Sequence, residues 1–189
     1  MEVYLVRHTT PKIDKGICYG QTDLEPDQDL FEQELRKIRH QLPQDIEQVY
    51  SSPLVRCEQL AQQLSDEVSL DPRLMELDFG HWEHKRWSEI EASELSSWME
   101  DFVNVQAGKG ESYLDLHNRT CAFVKDLMVS GHQKVVVVTH AGNMRSFISY
   151  VLALPLENSF RIQLTYGTVV RITLGKNPFE HMLHLTPHF

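Results

Sequence analysis

The sequence predicts an α/β fold, a three-layer α/β/α sandwich with a mainly parallel central sheet, in a single domain over residues 1–189. Three observations carry this prediction. Apolar, strand-like runs alternate along the chain with amphipathic helices, the order that produces parallel sheets covered by helices. The run over residues 135–138 is apolar throughout, as expected of a strand buried on both faces. At 189 residues, of which 41% are hydrophobic, the chain is large enough to bury a substantial core.

The first part of the chain opens with an apolar run over residues 3–6, which predicts the first strand. Apolar residues at helical spacing then predict an amphipathic helix that ends near Pro43. These residues are Phe31, Leu35, Ile38 and Leu42. A short strand is predicted over residues 47–51, followed by Ser52 as a helix N-cap and Pro53 at the first helical position. The apolar residues of that second helix are Leu54, Cys57, Leu60, Ala61 and Leu64.

The middle of the chain predicts two further helices. The first has a looser apolar pattern, formed by Ile90, Leu95, Trp98, Met99 and Phe102. The second opens at Ser112 and Asp115, which resemble a capping box with aspartate in place of the usual glutamate. Its inward residues are Tyr113, Leu116, Thr120, Phe123 and Leu127.

The last part of the chain predicts a buried strand over residues 135–138 and a helix from about residue 143 to residue 152. Residues 160–164 and 168–174 flank Tyr166 and Gly167, a pattern that predicts a hairpin. Residues 181–185 predict a final edge strand.

Composition and charge exclude several classes of partner. Lys and Arg number 18 against 27 Asp and Glu, a net charge of −9, so we expect neither nucleic acid nor a membrane surface as a partner. The three cysteines are far apart and form no CxxC pair, which favours neither a disulfide framework nor a zinc site. With no signal peptide before the first strand and no apolar run long enough to span a bilayer, we expect a cytoplasmic protein.

Cationic or imidazole side chains follow three of the predicted strands. Arg7 and His8 come directly after the first strand. Arg56 lies one turn into the helix after the second strand, and His140 follows the strand over residues 135–138. Because ligands of open α/β sheets bind beyond the carboxyl ends of the strands, we expect these four side chains to meet in one crevice. Two guanidinium groups, two imidazoles and helix N-termini together suit a phosphoryl group.

Each feature has a plainer interpretation when it stands alone. An Arg-His pair after a strand is usually a surface feature, and a single histidine there is usually structural. The pairs His81/His84 and His181/His184 also admit a zinc site. The first pair lies in a loop-like segment and the second on opposite faces of a predicted strand, so we expect no metal and no cofactor.

Five segments, taken in order, resemble the motifs of the histidine phosphatase superfamily, also called the phosphoglycerate mutase-like proteins. They are "LVRHTT", "SSPLVRCEQLA", "LMELDFGHWE", "GKGES" followed by Arg119, and "VVVVTHAGNMRSFI". The resemblance covers roughly residues 1 to 152 and implies a phosphoglycerate mutase-like fold. Thr9 departs from it, because the family usually has glycine there and a side chain now follows His8.

The resemblance implies a role for each matched residue. His8 is implied as the nucleophile, with Arg7, Arg56 and a protonated His140 as the phosphate-binding shell. Glu76 is implied as the proton donor, although by itself it would be taken for a solvated carboxylate or a partner of an arginine. Glu83 is the rival acid, ranked lower because the matched segment places Glu76 at the catalytic position. The segment around Tyr19 and Gln21 is where the family shapes its substrate site, and these residues with Gly142 are candidate substrate contacts.

The implied function is metal-independent hydrolysis of a small-molecule phosphate ester through a phosphohistidine intermediate. The combination of "RHTTP", "GICYGQTDL" and "ELDFGHWE" looks most like the α-ribazole phosphatases of cobalamin (nucleotide loop) synthesis. A broad-specificity phosphatase or a phosphoglycerate mutase of the same superfamily stays open, as does a non-catalytic phosphate-binding module. A homodimer is also left open.

Overall fold

A six-stranded sheet forms the centre of the computed structural model, which describes residues 1–184. Its strands are β1 (Glu2–Arg7), β2 (Gln48–Ser51), β3 (Val68–Leu70), β4 (Lys134–Thr139), β5 (Val169–Thr173) and β6 (Met182–His184). Their order across the sheet is β3-β2-β4-β1-β5-β6. The pairings among β1 to β4 are parallel, whereas β5 is antiparallel to both β1 and β6. The predicted α/β class with a mainly parallel sheet is confirmed.

Helices cover both faces of this sheet. They are α1 (Gln28–Gln41), α2 (Val55–Gln62), α4 (Tyr113–Val129) and α5 (Ala141–Leu152), whereas α3 (Ala92–Glu100) packs against a separate apolar cluster around Trp82. The buried residues of α1 and α2 pack on one face and those of α4 and α5 on the other, which is the predicted three-layer arrangement. Val135 and Val137 face α4 and α5, while Val136 and Val138 face α1 and α2. Burial on both faces therefore explains why β4 is apolar at every one of these positions.

The predicted hairpin is wrong. Leu156–Arg161 is a 3₁₀ helix, and β5 pairs with β1 instead of with a strand over residues 160–164. The carbonyls of Ile162 and Leu164 accept hydrogen bonds from the side chains of Arg145 and Arg7. The backbone of this segment therefore binds two guanidinium groups, and the apolar pattern of the sequence does not indicate that role.

The start of the second helix also differs from its prediction. Leu54, not Ser52, is the N-cap of α2, because the backbone amide of Ser52 still donates to the carbonyl of Val138 on the neighbouring strand. The sequence does not predict the strand β3, because this strand has only three residues and is too exposed to show an apolar pattern. The capping box of α4 at Ser112 and Asp115 is confirmed.

The ends of the remaining elements agree closely with the predictions. The helix predicted from about residue 143 begins two residues earlier, at Ala141, directly after the strand that precedes it. The final edge strand is confirmed through His184, and Leu185 lies outside the described residues.

Candidate active site

The carboxyl ends of β1, β2 and β4 lie side by side because these strands are parallel neighbours. Arg7 pairs with Thr139 in register, and the backbone amide of His8 donates to the Thr139 carbonyl at 3.0 Å. His140 follows Thr139 and therefore lies beside His8, with the ring centroids 5.0 Å apart. Both rings are buried. The structure thus joins two imidazoles that are 132 positions apart along the chain.

The backbone of Thr9 orients the ring of His8. Its carbonyl oxygen lies 2.7 Å from Nδ1 of His8. A carbonyl can only accept a hydrogen bond, so this partner assigns the proton to Nδ1 and leaves the lone pair on Nε2. The side chain of Thr9 is also buried, and its hydroxyl has no hydrogen-bond partner within residues 1–184. The residue that departs from the motif therefore adds a buried hydroxyl directly after His8 in the chain.

Backbone carbonyls hold the two arginines of the pocket. Arg7 donates to the carbonyl of Leu164 at 2.6 Å. Arg56 is fully buried and donates to the carbonyls of Thr22 at 2.8 Å and Gly20 at 2.6 Å. The Nε atom of each arginine is buried and has no partner in the described part of the chain. Since a buried donor without a partner is costly, these atoms are suited to donate to the oxygens of a bound anion.

A pair of tyrosines packs against both arginines. The Tyr166 ring lies 4.0 Å from the Arg7 guanidinium and 5.5 Å from the His8 ring. The Tyr19 ring lies 5.5 Å from the Arg56 guanidinium, and its hydroxyl is 2.6 Å from that of Tyr166. Burial raises the pKa of Tyr19, so its phenol stays neutral. The pair forms one wall of the pocket.

The carboxylate of Glu76 is held at the start of α5. It accepts from the backbone amides of Leu77 at 2.9 Å and Gly142 at 3.1 Å. A Cβ atom at Gly142 would lie 2.2 Å from Oε1 of Glu76, so glycine is required for this approach. The side chain of Gln21 donates to the Glu76 carbonyl at 3.2 Å. Gln21 and Gly142 thus position Glu76, and their contact with a substrate stays a prediction.

The carboxylate of the rival acid, Glu83, already accepts several hydrogen bonds from nearby loop residues. Its carboxylate accepts from the backbone amides of Gln21 at 2.8 Å, Thr22 at 2.6 Å and Phe79 at 3.3 Å, and from the Thr22 hydroxyl. Burial by itself would raise the pKa of Glu83, but these hydrogen bonds lower the pKa below its ordinary value. A carboxylate held in its charged form is a poor proton donor, so Glu83 is poorly suited to that role.

Comparison with known proteins identifies the family of this chain. The sequence model of the histidine phosphatase superfamily, branch 1, matches residues 3–184, nearly the whole chain. This chain belongs to that superfamily. Together with relatives that are named as phosphatases, the match makes this histidine phosphatase a phosphoric monoester hydrolase.

The relatives of this histidine phosphatase carry different substrate names. A Hydrogenobacter thermophilus protein assigned as a phosphoserine phosphatase is 29% identical, over 90% of this chain and 88% of that protein. An Enterobacter protein assigned as a phosphoglycerate mutase is 30% identical, over 95% of this chain and 87% of that protein. The solved α-ribazole phosphatase of Shigella flexneri has the same fold, with a TM-score of 0.88 at 22% identity, over 100% of this chain and 96% of that one.

The two imidazoles of this histidine phosphatase are uncharged at neutral pH. Burial and the charges of Arg56 and Arg7 hold the pKa of His8 well below its usual range, although the bond to Thr9 opposes the shift. Burial and the charge of Arg56 likewise hold the pKa of His140 well below its usual range. A neutral His8 has the lone pair that a nucleophile needs. The protonated His140 that the motifs imply stays a prediction for the phosphate-bound site.

The buried histidines predict a loss of stability on acidification. The unfolded chain protonates both imidazoles below about pH 6.5, whereas the folded chain does not, so unfolding becomes easier as the pH falls. Linkage gives a loss of about 2 kcal/mol in the free energy of unfolding between about pH 6.5 and 5.5 for the pair. Urea titrations across this range measure it. A variant with both His8 and His140 replaced by asparagine should lose that slope, and an equal slope in the variant would contradict the prediction.

Sequence reasoning missed several residues that support the site. The sequence predicts Tyr166 only as part of a turn and Ser52 only as a helix cap, yet the Ser52 hydroxyl lies 2.9 Å from Nε2 of His140. Arg119, known only from its motif, donates to the Glu76 carbonyl at 2.9 Å and pairs with Glu111 at 2.8 Å. The contacts of Ser52 with His140 and of Arg119 with Glu76 join segments far apart along the chain, so no local pattern could have indicated them.

The first of the two histidine pairs considered as metal ligands has other partners. His81 lies 2.9 Å from the carboxylate of Glu94, and His84 lies 3.2 Å from the hydroxyl of Thr22. Within residues 1–184 no three His, Cys, Asp or Glu side chains are grouped so that they could hold a metal ion. Over the same residues, none of the helices has the length and apolar character needed to cross a bilayer.

Proposed function

We propose that this chain hydrolyses a small phosphate ester, without a metal, through a phosphohistidine formed on Nε2 of His8. The observation that carries the proposal is the buried His8 ring itself. Its Nδ1 is engaged by the Thr9 carbonyl, which leaves Nε2 as the nucleophilic atom, and Arg7, Arg56 and His140 surround it. A site that only bound phosphate would need neither a neutral imidazole nor a carboxyl held at the start of α5.

In the first step, Nε2 of His8 attacks phosphorus and the bond from phosphorus to the ester oxygen breaks. The buried Nε donors of Arg7 and Arg56 stabilise charge on the phosphoryl oxygens, together with His140 once it is protonated. Glu76 gives its proton to the departing alkoxide, which leaves as the alcohol.

In the second step, water attacks the phosphohistidine. Glu76, now a carboxylate, takes a proton from that water as the oxygen adds to phosphorus. The bond between phosphorus and Nε2 breaks, so His8 is restored and inorganic phosphate is released. Glu76 is protonated again at the end, so the cycle is complete and uses no cofactor.

Two substrates fit this proposal. α-Ribazole phosphate is supported by the motif resemblance and by a shared fold with the Shigella flexneri α-ribazole phosphatase over the entire chain. A phosphorylated hydroxy acid such as phosphoserine is supported by the 29% identity to the Hydrogenobacter protein over 90% of the chain.

A mutase is less well supported, because it needs cations for a second phosphate. The surface cations considered for this role are Lys12, Lys15, Lys85 and Arg86, and all four are exposed. Exposed cations hold a phosphate weakly, since water screens their charge.

Phosphate release from α-ribazole phosphate, phosphoserine, 3-phosphoglycerate and p-nitrophenyl phosphate, measured side by side in chelator, tests the proposal. We expect release without added metal and a clear preference among the physiological esters. Comparable slow rates on all four would support a broad-specificity phosphatase. No release from any of them would contradict the proposed function and favour a phosphate-binding module.

A further inference from the structure

A third arginine, Arg145, lies beside the proposed proton donor. It is three residues after Gly142 on α5, and residues at this spacing share one side of a helix. The amide of Gly142 donates to the Glu76 carboxylate, so Arg145 is next to that carboxylate. Its Nε donates to the carbonyl of Ile162 at 3.0 Å, two residues before the carbonyl that accepts from Arg7. One short segment therefore holds Arg145 and Arg7 next to each other.

Two contacts fix the guanidinium of Arg145 in place. One is the hydrogen bond from Nε, and the other is the ring of Phe160, whose centroid lies 5.2 Å from the guanidinium carbon. The side chain is partly buried, and burial lowers its pKa while the charge of Glu76 opposes this shift. A guanidinium stays charged despite such a shift. The result is an oriented cation in a setting with reduced access to water.

The terminal nitrogens of Arg145 are available for a ligand. In the part of the chain that the structure describes, no carboxylate pairs with Arg145 and no hydrogen bond uses these two nitrogens. Arg56 differs, because both of its terminal nitrogens already donate to backbone carbonyls. Arg145 thus combines a fixed charge with a free pair of donors, which is the geometry that binds two oxygens at once.

We propose that Arg145 binds a carboxylate on the leaving group, so that the preferred substrates are phosphate esters of hydroxy acids. This inference rests on the proposed function, because the leaving group must lie at Glu76 to receive its proton. A planar carboxylate matches the two terminal nitrogens of one guanidinium. A phosphate dianion fits less well there, since its larger negative charge would oppose the loss of the proton from Glu76. Of the two substrates above, phosphoserine has such a carboxylate and α-ribazole phosphate does not.

Matched substrates test this subsite. Phosphoserine and phosphoethanolamine differ only in the carboxylate. In the second pair, 3-phosphoglycerate has a carboxylate where glycerol 3-phosphate has a hydroxymethyl group. In the unmodified protein we expect kcat/KM to be about 10- to 100-fold higher for the member of each pair with the carboxylate. Arg145→Met should remove this preference through loss on the carboxylate substrates alone, and Arg145→Lys should keep part of it. Arg161→Met, an exposed arginine of the neighbouring 3₁₀ helix, is the matched control and should change neither ratio.

Equal kcat/KM within both pairs in the unmodified protein would overturn the subsite, whatever the variants do. An Arg145→Met variant that loses activity equally on all four substrates would also overturn it, because the side chain would then be structural. Failure of the proposed function is distinguishable, since no member of either pair would then release phosphate.

Discussion

Replacing His8 with alanine is expected to lower kcat on every phosphate ester by about 10⁴-fold or more, because no bond from nitrogen to phosphorus can form. Arg7 and Arg56 are unchanged in this variant, so inorganic phosphate should still bind. Steady-state rates measure the loss, and calorimetric titration with phosphate measures the binding that remains. Acid-sensitive, base-stable labelling by a radioactive substrate should be seen in the unmodified protein and be absent from the variant.

The matched control for this experiment is His40→Ala, an exposed histidine in the last turn of α1. It should keep full turnover and full labelling. Because His8 is buried, thermal unfolding of the variant is needed to show that it remains folded. Turnover that survives in folded His8→Ala would refute the phosphohistidine and return the site to a binding module or to another nucleophile.

Replacing Glu76 with glutamine is expected to affect substrates according to their leaving groups. An alkoxide needs a proton to depart, so kcat/KM on an alkyl phosphate should fall about 10²- to 10⁴-fold. p-Nitrophenolate departs without a proton, so kcat/KM on p-nitrophenyl phosphate should fall much less. The measurement is the ratio of the two kcat/KM values, because kcat/KM excludes the later attack of water that both substrates share.

Two further variants sharpen this test. Gly142→Ala should reproduce the pattern of Glu76→Gln, because the added Cβ would lie 2.2 Å from Oε1 of Glu76 and displace the carboxyl. Glu32→Gln, an exposed residue of α1, is the control and should leave the ratio unchanged. A uniform loss on both substrates in Glu76→Gln, or the selective pattern in Glu83→Gln instead, would refute the assignment of the proton donor.

Much of the fold could be predicted because it depends on local patterns. The valines of β4 predict a strand buried on both faces, and Ser112 and Asp115 predict the start of α4. The prediction failed where a segment is shaped by distant side chains. Residues 160–164 look like a strand, but the carbonyls of Ile162 and Leu164 bind two arginines from other elements. Such contacts are long-range and leave no periodic signal.

The sequence by itself determined the class of fold, the family and the residue types available for phosphoryl chemistry. Strand patterns and parallel topology suffice to bring Arg7, His8, Arg56 and His140 to one edge of the sheet. Only the tertiary structure decided how those groups are oriented and which partners they have. It orients His8 through the Thr9 carbonyl and places Arg145 beside Glu76, with terminal nitrogens that no residue of the described range binds. The burial of His8 and the position of Arg145 beside Glu76 depend on three-dimensional neighbours that lie far apart along the chain.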